Sequence, residues 1–421
     1  MSEQVVPTKS AGNLLGNKFV QTILLSHVLL QIGIWVRNFA ILMYVTEMTN
    51  NNHFAVGLMV FVEIFPIFVF SIIGGTFADR WKPRLTMIWC DILSAISVFA
   101  VLLTIIYGSW HMIYLVTFIS AILSQFSQPS SMKLFKQHVE PAKLQGAMAL
   151  FQSLGAIFMV AGPALGVYSY NEFGINISIG IMGVAFLLSA IVLFRIPKDK
   201  QPDRTTEVAD KQFWNELSAG LKYVWRSPVL KALGGAFVLA GTAVGVAQTL
   251  GVFIVIERLG QEKEFLQFLL MVNGIAMLVG GGLVMALAKK LSAPKLLAIG
   301  MCISSLTMIG IALSTSVPLT LGIQFFSGLG FPFIQIGIST MILQWTEEKY
   351  IGRVNGVLMP MFMGMMAIMS LVAGLLKDFL PLVAIYCAAG AFMFLGMLVM
   401  VPVLKHKAPD YAKQTVEEAT A

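Results

Sequence analysis

The sequence predicts an all-α integral membrane protein with about twelve transmembrane helices in two halves of six. Of its 421 residues, 57% are hydrophobic and only 12% are charged, a balance that soluble domains do not show. Apolar runs of roughly 20 residues, enough to cross a hydrocarbon core of about 30 Å as a helix, recur along the chain. Transmembrane strands would instead show short alternating segments, so the spans are predicted to be helical.

The spans follow one another in two groups. The first run is about 27 residues long, which exceeds a signal-peptide core, so we interpret it as a retained first helix. The first six predicted spans are Phe19–Val45, Phe54–Ala78, Leu85–Tyr107, Met112–Leu134, Ala147–Tyr170 and Ile175–Phe194. The last six are Ala232–Ile256, Phe265–Ala288, Leu296–Leu313, Leu319–Trp345, Asn355–Leu376 and Pro381–Leu404.

The only long charged interval separates the two groups and runs from Arg195 to Lys231. From Phe213 to Trp225 its apolar residues recur at helical spacing, which predicts an amphipathic helix on the membrane surface. A tether between the half-bundles is favoured over a regulatory segment. The predicted organisation is a cytoplasmic tail (1–18), an N-terminal bundle (19–195), a cytoplasmic linker (196–231), a C-terminal bundle (232–404) and a second cytoplasmic tail (405–421).

The basic residues predict that both termini are cytoplasmic, because Lys and Arg are retained on that side. In this orientation, all but four of the 28 Lys and Arg residues face the cytoplasm. The exceptions are Arg37 within a span and Arg258, Lys263 and Lys377 outside. The net charge of +7 is therefore explained by topology and anionic lipid, and no nucleic-acid partner is expected.

The two halves carry a related segment at corresponding places. "TFADRWKPRL" follows span two, and "ALAKKLSAPKL" follows span eight at an offset of 210 residues. Many secondary transporters are built from such repeated halves, with the substrate site between them near the bilayer midplane.

"GGTFADRWKPR" resembles the loop signature of the major facilitator superfamily, a Gly-x-x-x-Asp-Arg run followed by basic residues. Gly75, Asp79, Arg80 and Arg84 fit that pattern. The resemblance implies the major facilitator fold and a gating role for this loop, whose charge contacts stabilise the outward-open state. A simpler alternative is that its basic residues only hold the loop inside.

Two further segments resemble exporters of that superfamily. "AGPALG", which contains Gly162 and Pro163, is similar to the Gly-Pro segment of the drug:proton antiporter branch and is expected to bend or tightly pack span five. "GIWVRNFAILMYVTEMTNN" resembles the macrolide and siderophore exporter-like members. The resemblance implies export of hydrophobic or amphipathic compounds by proton antiport and alternating access.

Three charged side chains lie well inside the predicted spans: Arg37, Glu63 and Asp91. Each costs about 2.5–3.5 kcal/mol at the bilayer centre on insertion scales, so each is expected to face the bundle interior with a partner. Arg37 and Glu63 both lie roughly 13 Å below the outer surface on neighbouring antiparallel helices, at 1.5 Å per residue. An Arg37–Glu63 pair is therefore predicted.

The role of this pair stays open at the level of sequence. It is either a static bridge between spans one and two, or a site where Glu63 exchanges a proton or meets a cationic substrate. A lipid-facing Glu63, or a different partner, is the third alternative. Burial disfavours its charged form and Arg37 favours it, so a poised acid can change protonation as water reaches it.

Other polar residues in the spans are secondary candidates. His27, beside Gln31, is either a proton relay or a buried, hydrogen-bonded histidine. Asn273 and Gln335 in the second half cannot titrate, so coupling chemistry is expected in the N-terminal half.

Span eleven, "VLMPMFMGMMAIMSL", is rich in methionine, which suits surfaces that accept many ligand shapes. Some of these methionines must face lipid or neighbouring helices. Candidate lining residues of an apolar substrate site are Met361 and Met365, with Phe325 of span ten.

The sequence contains no phosphate-binding Gly-x-x-x-x-Gly-Lys run and no His-Glu-x-x-His motif, so neither an enzyme nor an ATP-driven pump is expected. Cys90, Cys302 and Cys387 all fall in spans, which favours packing roles over a disulfide framework or a metal site. No cofactor is expected.

The favoured hypothesis is a monomeric secondary transporter of the cell membrane whose partners are a small-molecule substrate, protons and membrane lipids. The first alternative is a proton-independent importer or facilitator of a small solute, such as an anion bound by Arg37. The second is a non-transporting receptor or lipid-handling protein.

Overall fold

The computed structural model describes residues 17–80, 82–108, 110–197, 209–287, 290–347 and 350–406. Within these ranges, the side chains at 71–80, 128–129, 141–142, 145, 209–217 and 405 lie outside the description. The described part is helical and contains no strand.

Twelve α-helices account for most of the described chain. They are α1 (Lys18–Met48), α2 (His53–Arg80), α3 (Pro83–Ile106), α4 (Met112–His138), α5 (Pro141–Leu193), α6 (Ala209–Arg226), α7 (Pro228–Phe253), α8 (Leu266–Leu287), α9 (Ala293–Leu313), α10 (Val317–Trp345), α11 (Ile351–Leu376) and α12 (Leu382–Met400). A π-helical turn at Ile254–Arg258 extends α7, and short 3₁₀ turns lie at Lys263–Phe265 and Val401–Lys405.

Eleven helical segments of the described chain are long and apolar enough to cross a membrane, and α5 supplies two crossings. Its 53 residues would reach about 80 Å at 1.5 Å per residue, far more than the ~30 Å core. Gly174 interrupts the helix with φ 70° and ψ 178°. This left-handed φ favours glycine, and it lies between the predicted fifth and sixth spans. The predicted count of about twelve crossings is thus confirmed.

The turn between α2 and α3 is shorter than predicted. Helix α2 continues to Arg80 and α3 begins at Pro83, so Asp79 and Arg80 belong to the last turn of a helix rather than to a loop. Pro83 starts α3 without cost, because the first helical position has no intrahelical partner for its N–H.

Close backbone contacts hold α1 against α5. A Cβ placed on Gly166 would lie 2.6 Å from the Trp35 carbonyl oxygen, and one on Gly162 would lie 2.2 Å from the Trp35 ring. The Gly162–Pro163 segment therefore packs tightly, which is one of its two predicted roles. The non-helical backbone position of α5 is Gly174, eleven residues beyond Pro163.

The two halves contact each other through α2 with α11 and through α5 with α8. A Cβ on Gly57 of α2 would lie 2.7 Å from the Ser370 carbonyl oxygen, and one on Gly374 would lie 2.6 Å from that of His53. Further along α2, Val60 and Ile64 share an apolar cluster with residues of α11. Backbones this close to one another define a tight seam between the halves.

Ion pairs join the halves at one end of this seam, which we call the outer end after the predicted orientation. His53 Nε2 lies 3.3 Å from Glu257 Oε1, and His53 Nδ1 lies 3.2 Å from Asp378 Oδ1. Lys377 Nζ lies 3.1 Å from Glu257 Oε2. Since His53 begins α2 and the other three follow α7 and α11, this group spans both halves.

A second group at the outer end centres on Lys263. Its Nζ lies 2.7 Å from Glu47 Oε2 and donates to the Met43 carbonyl oxygen at 3.2 Å. The Tyr170 hydroxyl donates to the same Glu47 oxygen at 2.8 Å. Lys263 comes from the C-terminal half and its partners come from the N-terminal half. The described structure is therefore closed at the outer end.

The predicted amphipathic helix of the linker is present as α6 and lies beneath the C-terminal half. The Tyr223 ring stacks on Tyr350 at 4.5 Å, and its hydroxyl accepts from the Glu347 backbone N–H at 3.2 Å. Leu221 and Trp225 remain exposed, and the position of this helix on the membrane surface stays a prediction. Helix α6 therefore packs against the start of α11.

Gly166→Ala is expected to destabilise the N-terminal half, whereas Gly155→Ala on the same helix is not. A Cβ on Gly155 meets nothing within 4 Å, so the pair of variants isolates the contact with α1 from the shared gain in helix propensity. Overpacking of this kind costs about 1–3 kcal/mol. The measurement is the melting temperature of each variant in detergent. Equal melting temperatures for the two variants would contradict the close α1–α5 contact.

Glu257→Gln is expected to loosen the outer end, because one carboxylate contacts both His53 and Lys377. If the outer-closed state loses about 1 kcal/mol of stability, the ratio of outer-open to outer-closed molecules rises roughly fivefold. The measurement is the rate at which a membrane-impermeant maleimide labels Val60→Cys in a protein otherwise free of cysteine. The control is Lys143→Gln, which removes an ion pair with Glu140 at the start of α5. Faster labelling in the control, or a labelling rate in Glu257→Gln that equals that of the native protein, would argue against outer closure by this group.

Candidate functional site

A cavity of about 250 Å³ lies inside the N-terminal half, between α1, α2, α3, α4 and α5. Five residues predicted from the sequence line it, and several serines that the sequence analysis did not single out line it too. The predicted residues are His27, Gln31, Arg37, Glu63 and Asp91. The serines are Ser26, Ser94, Ser120, Ser124, Ser127 and Ser131.

Arg37 and Glu63 form the predicted pair on the wall of this cavity. Arg37 Nη2 lies 3.6 Å from Glu63 Oε1, and the Arg37 side chain is 6% exposed against 24% for Glu63. This separation is longer than a charge-assisted hydrogen bond, which is about 2.7–2.9 Å. The two groups therefore attract each other as charges without a direct hydrogen bond.

Two neighbours complete the pair. Arg37 Nε donates to Asn38 Oδ1 at 2.9 Å, and Asn38 Nδ2 donates to Glu63 Oε1 at 2.8 Å. Arg37 Nη1 donates to Ser120 Oγ of α4 at 2.7 Å. Asn38 thus bridges the acid and the base. It adjoins Arg37 in an apolar run, which is the sequence signal that could have identified it.

Asp91 occupies a different environment, although it lines the same cavity. It is 3% exposed, and the Ser189 hydroxyl donates to its Oδ2 at 2.6 Å. The Ser189 and Ser26 hydroxyl oxygens lie 2.8 Å apart, so α3, α5 and α1 meet here. Within the described ranges, Asp91 has no cationic partner. The partner expected for a buried acid is present as a hydroxyl rather than as an opposite charge.

His27 and Gln31 both face the cavity from α1. The His27 ring lies 3.9 Å from the Phe151 ring, centroid to centroid, with an interplanar angle of 32°. The structure therefore shows an aromatic contact for this histidine, and its suggested relay role stays a prediction.

The candidates of the C-terminal half are not part of this cavity lining. Asn273 Nδ2 donates to the Gln324 carbonyl oxygen at 3.3 Å, which links α8 to α10. Phe325 contacts Phe326 edge to face, and Gln335 is exposed. Met361 and Met365 pack close to Gly234 and Gly241 of α7. A substrate-lining role for these residues stays a prediction.

Of the four predicted gating residues, only the Arg84 side chain is described. Its Nη2 donates to the Phe194 carbonyl oxygen at 2.8 Å, which ties the start of α3 to the end of α5. The side chains of Gly75, Asp79 and Arg80 lie outside the described residues, and the gate stays a prediction.

Nothing in the described residues suggests a metal centre, since no three His, Cys, Asp or Glu side chains are grouped suitably for an ion. Cys90, Cys302 and Cys387 are free thiols. What the cavity offers chemically is one ion-paired acid, one hydroxyl-bonded acid and a set of hydroxyl groups.

Comparison with known sequences identifies two relatives that match most of the chain and one that matches just under half of it. An uncharacterized MFS-type transporter of Bacillus subtilis strain 168, YkuC, is 25% identical over 400 residues, which is 92% of this chain and 91% of the relative. The multidrug efflux pump Tap of Mycolicibacterium fortuitum is 24% identical over 361 residues, or 82% of this chain and 86% of the pump. The macrolide efflux protein A of Streptococcus pyogenes is 26% identical over 199 residues, covering 46% and 48% of the two chains.

Solved structures share the fold at low sequence identity. A POT family transporter in complex with 5-aminolevulinic acid superposes with a TM-score of 0.76 at 12% identity, covering 95% of this chain and 99% of the other. The nucleoside transporter NupG gives a TM-score of 0.76 at 12% identity, covering 93% and 100%.

The family model of the Major Facilitator Superfamily matches residues 23–292 and 236–420, and so includes both halves and the candidate site. These matches, the apolar helices and the shared fold agree with one another. The chain therefore belongs to the Major Facilitator Superfamily and is a multi-pass transporter of the cell membrane.

Proposed function

We propose that the protein exports hydrophobic or amphipathic compounds in exchange for protons, and that Glu63 is the acid that exchanges the proton. The observation that carries this proposal is the Arg37–Asn38–Glu63 arrangement on the cavity wall. Intramembrane charges are costly unless they are paired, and they mark ion pathways and proton relays in transporters.

The two members of the pair are held differently. Arg37 is fixed by Ser120 and Asn38 and is 6% exposed, whereas Glu63 is the more accessible partner at 24%. A proton that reaches Glu63 removes its negative charge and therefore the attraction to Arg37. The guanidinium keeps its hydrogen bonds to Ser120 and Asn38, whereas protonated Glu63 keeps only the bond that it accepts from Asn38, so protonation loosens the acid more than the guanidinium.

The position of Glu63 on α2 connects this change to the seam between the halves. Val60 and Ile64, on either side of Glu63 along the helix, pack against Met366 and Ala367 of α11. Because helix α2 carries the acid on one face and the seam on another, a shift of Glu63 relative to Arg37 moves the surface that contacts α11. In the proposed cycle, a proton from outside neutralises Glu63 and loosens it from Arg37, the halves rock, and the cytoplasmic end opens at the segment that contains Asp79.

The substrate class follows from the site and the relatives. The cavity is smaller than the roughly 300–1,000 Å³ of pockets that enclose drug-sized ligands, so a larger compound requires the halves to separate. Separation would add the methionine-rich α11 to the wall, and methionine adapts to varied shapes. The named efflux functions of the Tap and macrolide relatives support export as the direction of transport.

Glu63→Gln is expected to abolish transport driven by a pH gradient while leaving substrate binding and downhill exchange intact. Glutamine keeps the side-chain length and an oxygen that accepts from Asn38, but it cannot exchange a proton. The measurement is accumulation of a lipophilic cationic dye in inside-out vesicles under a pH gradient. We expect a loss of roughly tenfold or more, since tenfold in rate is about 1.4 kcal/mol of barrier.

The control is Glu262→Gln, an exposed carboxylate in the turn before α8 that leaves the cavity unchanged. Unchanged accumulation in Glu63→Gln would leave the Arg37–Glu63 pair a static bridge between α1 and α2. Solute uptake by the native protein that does not respond to the pH gradient would favour the proton-independent importer or facilitator.

A further inference from the structure

We propose that Asp91 forms a second proton-binding site in the cavity, and that a hydroxyl-lined path along α4 connects it to Glu63. This inference rests on the proposed proton exchange at Glu63 and extends it. The proton would then move within the N-terminal half, from an acid nearer the outer end to an acid nearer the inner end.

The first observation is the burial of Asp91 with no cationic partner among the described residues. Its carboxyl group meets the Ser189 hydroxyl, which in turn contacts Ser26. A carboxylate removed from water and stabilised by one hydroxyl keeps a large desolvation cost, and binding a proton removes that cost. Glu63 differs, because Arg37 and Asn38 stabilise its charged form. Of the two acids, Asp91 is therefore the one whose surroundings favour binding of a proton.

The second observation is the pattern of serines on α4. Ser120, Ser124, Ser127 and Ser131 are spaced by four, three and four residues, which places them on one face of the helix. All four line the cavity that also contains Asp91 and Glu63. At 1.5 Å per residue, this face extends for about 16 Å along the helix axis. It begins at Ser120, which accepts a hydrogen bond from Arg37.

The two acids lie at different depths. Glu63 is ten residues from the outer start of α2, or about 15 Å at 1.5 Å per residue. Asp91 is eight residues from the inner start of α3, or about 12 Å. The serine face runs from the level of Arg37 towards the inner end. Each hydroxyl can both accept and donate, and a cavity of about 250 Å³ has room for several waters of ~30 Å³ each.

The proposed transfer moves one proton and no electrons. The Glu63 carboxylic acid gives its proton to the hydroxyl and water chain and becomes a carboxylate, which pairs again with Arg37. The chain delivers one proton to the Asp91 carboxylate, which becomes the neutral acid and keeps its contact with Ser189. Asp91 releases that proton to cytoplasmic water when the inner end is hydrated, and the site is ready for the next cycle.

Infrared spectroscopy of the full-length protein in lipid vesicles tests the second site directly. The C=O stretch of a protonated, buried carboxyl group is expected at neutral pH in the native protein. It should disappear in Asp91→Asn, persist in Glu63→Gln and shift in frequency in Ser189→Ala, which removes the hydrogen bond. Asparagine can accept from Ser189 as aspartate does, so Asp91→Asn is expected to fold. A missing band, or a band lost in Glu63→Gln instead, would overturn the second site.

The path is tested by transport. Ser124→Val with Ser127→Val places methyl groups where the hydroxyls line the cavity, and is expected to reduce pH-driven dye accumulation by roughly tenfold, about 1.4 kcal/mol of barrier. The infrared band of Asp91 should remain, which would show that the variant is folded. Ser153→Val, at an exposed serine of α5, is the matched control. Normal accumulation in the double variant would overturn the path.

These outcomes separate the two proposals. An Asp91 band together with unchanged transport by Glu63→Gln would refute proton exchange at Glu63 and leave the Asp91 site standing. If Glu63→Gln loses pH-driven transport and the native protein shows no Asp91 band, the Asp91 site is refuted and proton exchange at Glu63 stands.

Discussion

A guanidinium and a carboxylate in hydrocarbon must be brought together, and much of the N-terminal half is arranged around that need. Each charge alone costs about 2.5–3.5 kcal/mol at the bilayer centre on insertion scales. Arg37 from α1, Glu63 from α2 and Ser120 from α4 meet across the cavity, with Asn38 between the charges. These three helices are thereby fixed at one depth. The cavity exists because the side chains that satisfy the charges are short and polar, so they do not fill the space as apolar residues would.

The C-terminal half is organised by a different principle. Its charged residues lie near helix ends, and several of its helix–helix contacts place a glycine against the backbone of the neighbouring helix. Gly241 and Gly245 of α7 approach the carbonyl oxygens of Phe362 and Met366 on α11 so closely that a Cβ would lie 2.4 and 2.5 Å away. Small residues allow such close approach between membrane helices. The proposed proton chemistry therefore belongs to the N-terminal half. The C-terminal half is the tightly packed body against which the N-terminal half would move.

The sequence predicts the helices well because the cost of exposing polar groups to lipid controls where spans begin and end. Depth along the helices was enough to predict the Arg37–Glu63 pair, since charges in lipid are rare and need partners. The sequence analysis missed Asn38, Ser120 and Ser189. Hydroxyl and amide side chains cost little free energy in membrane helices, so their presence in a span does not by itself predict a partner. The pairing of α2 with α11, which brings His53 to Glu257 and Asp378, depends on packing between segments more than 200 residues apart. No local pattern encodes such a contact.

Magnitudes indicate why closure at the outer end is compatible with the proposed proton-driven cycle. The pairs around Glu257 and Lys263 are partly exposed, and exposed ion pairs contribute about 0–1 kcal/mol each. A pH difference of one unit supplies about 1.4 kcal/mol per proton, and 100 mV of membrane potential supplies about 2.3 kcal/mol per charge. The energy available from one proton is thus comparable to that of the few contacts that close the outer end. Stronger, fully buried pairs at the outer end would hold the protein in one state. Under the proposed mechanism, weak pairs at this end let one protonation event inside the cavity change which end is open.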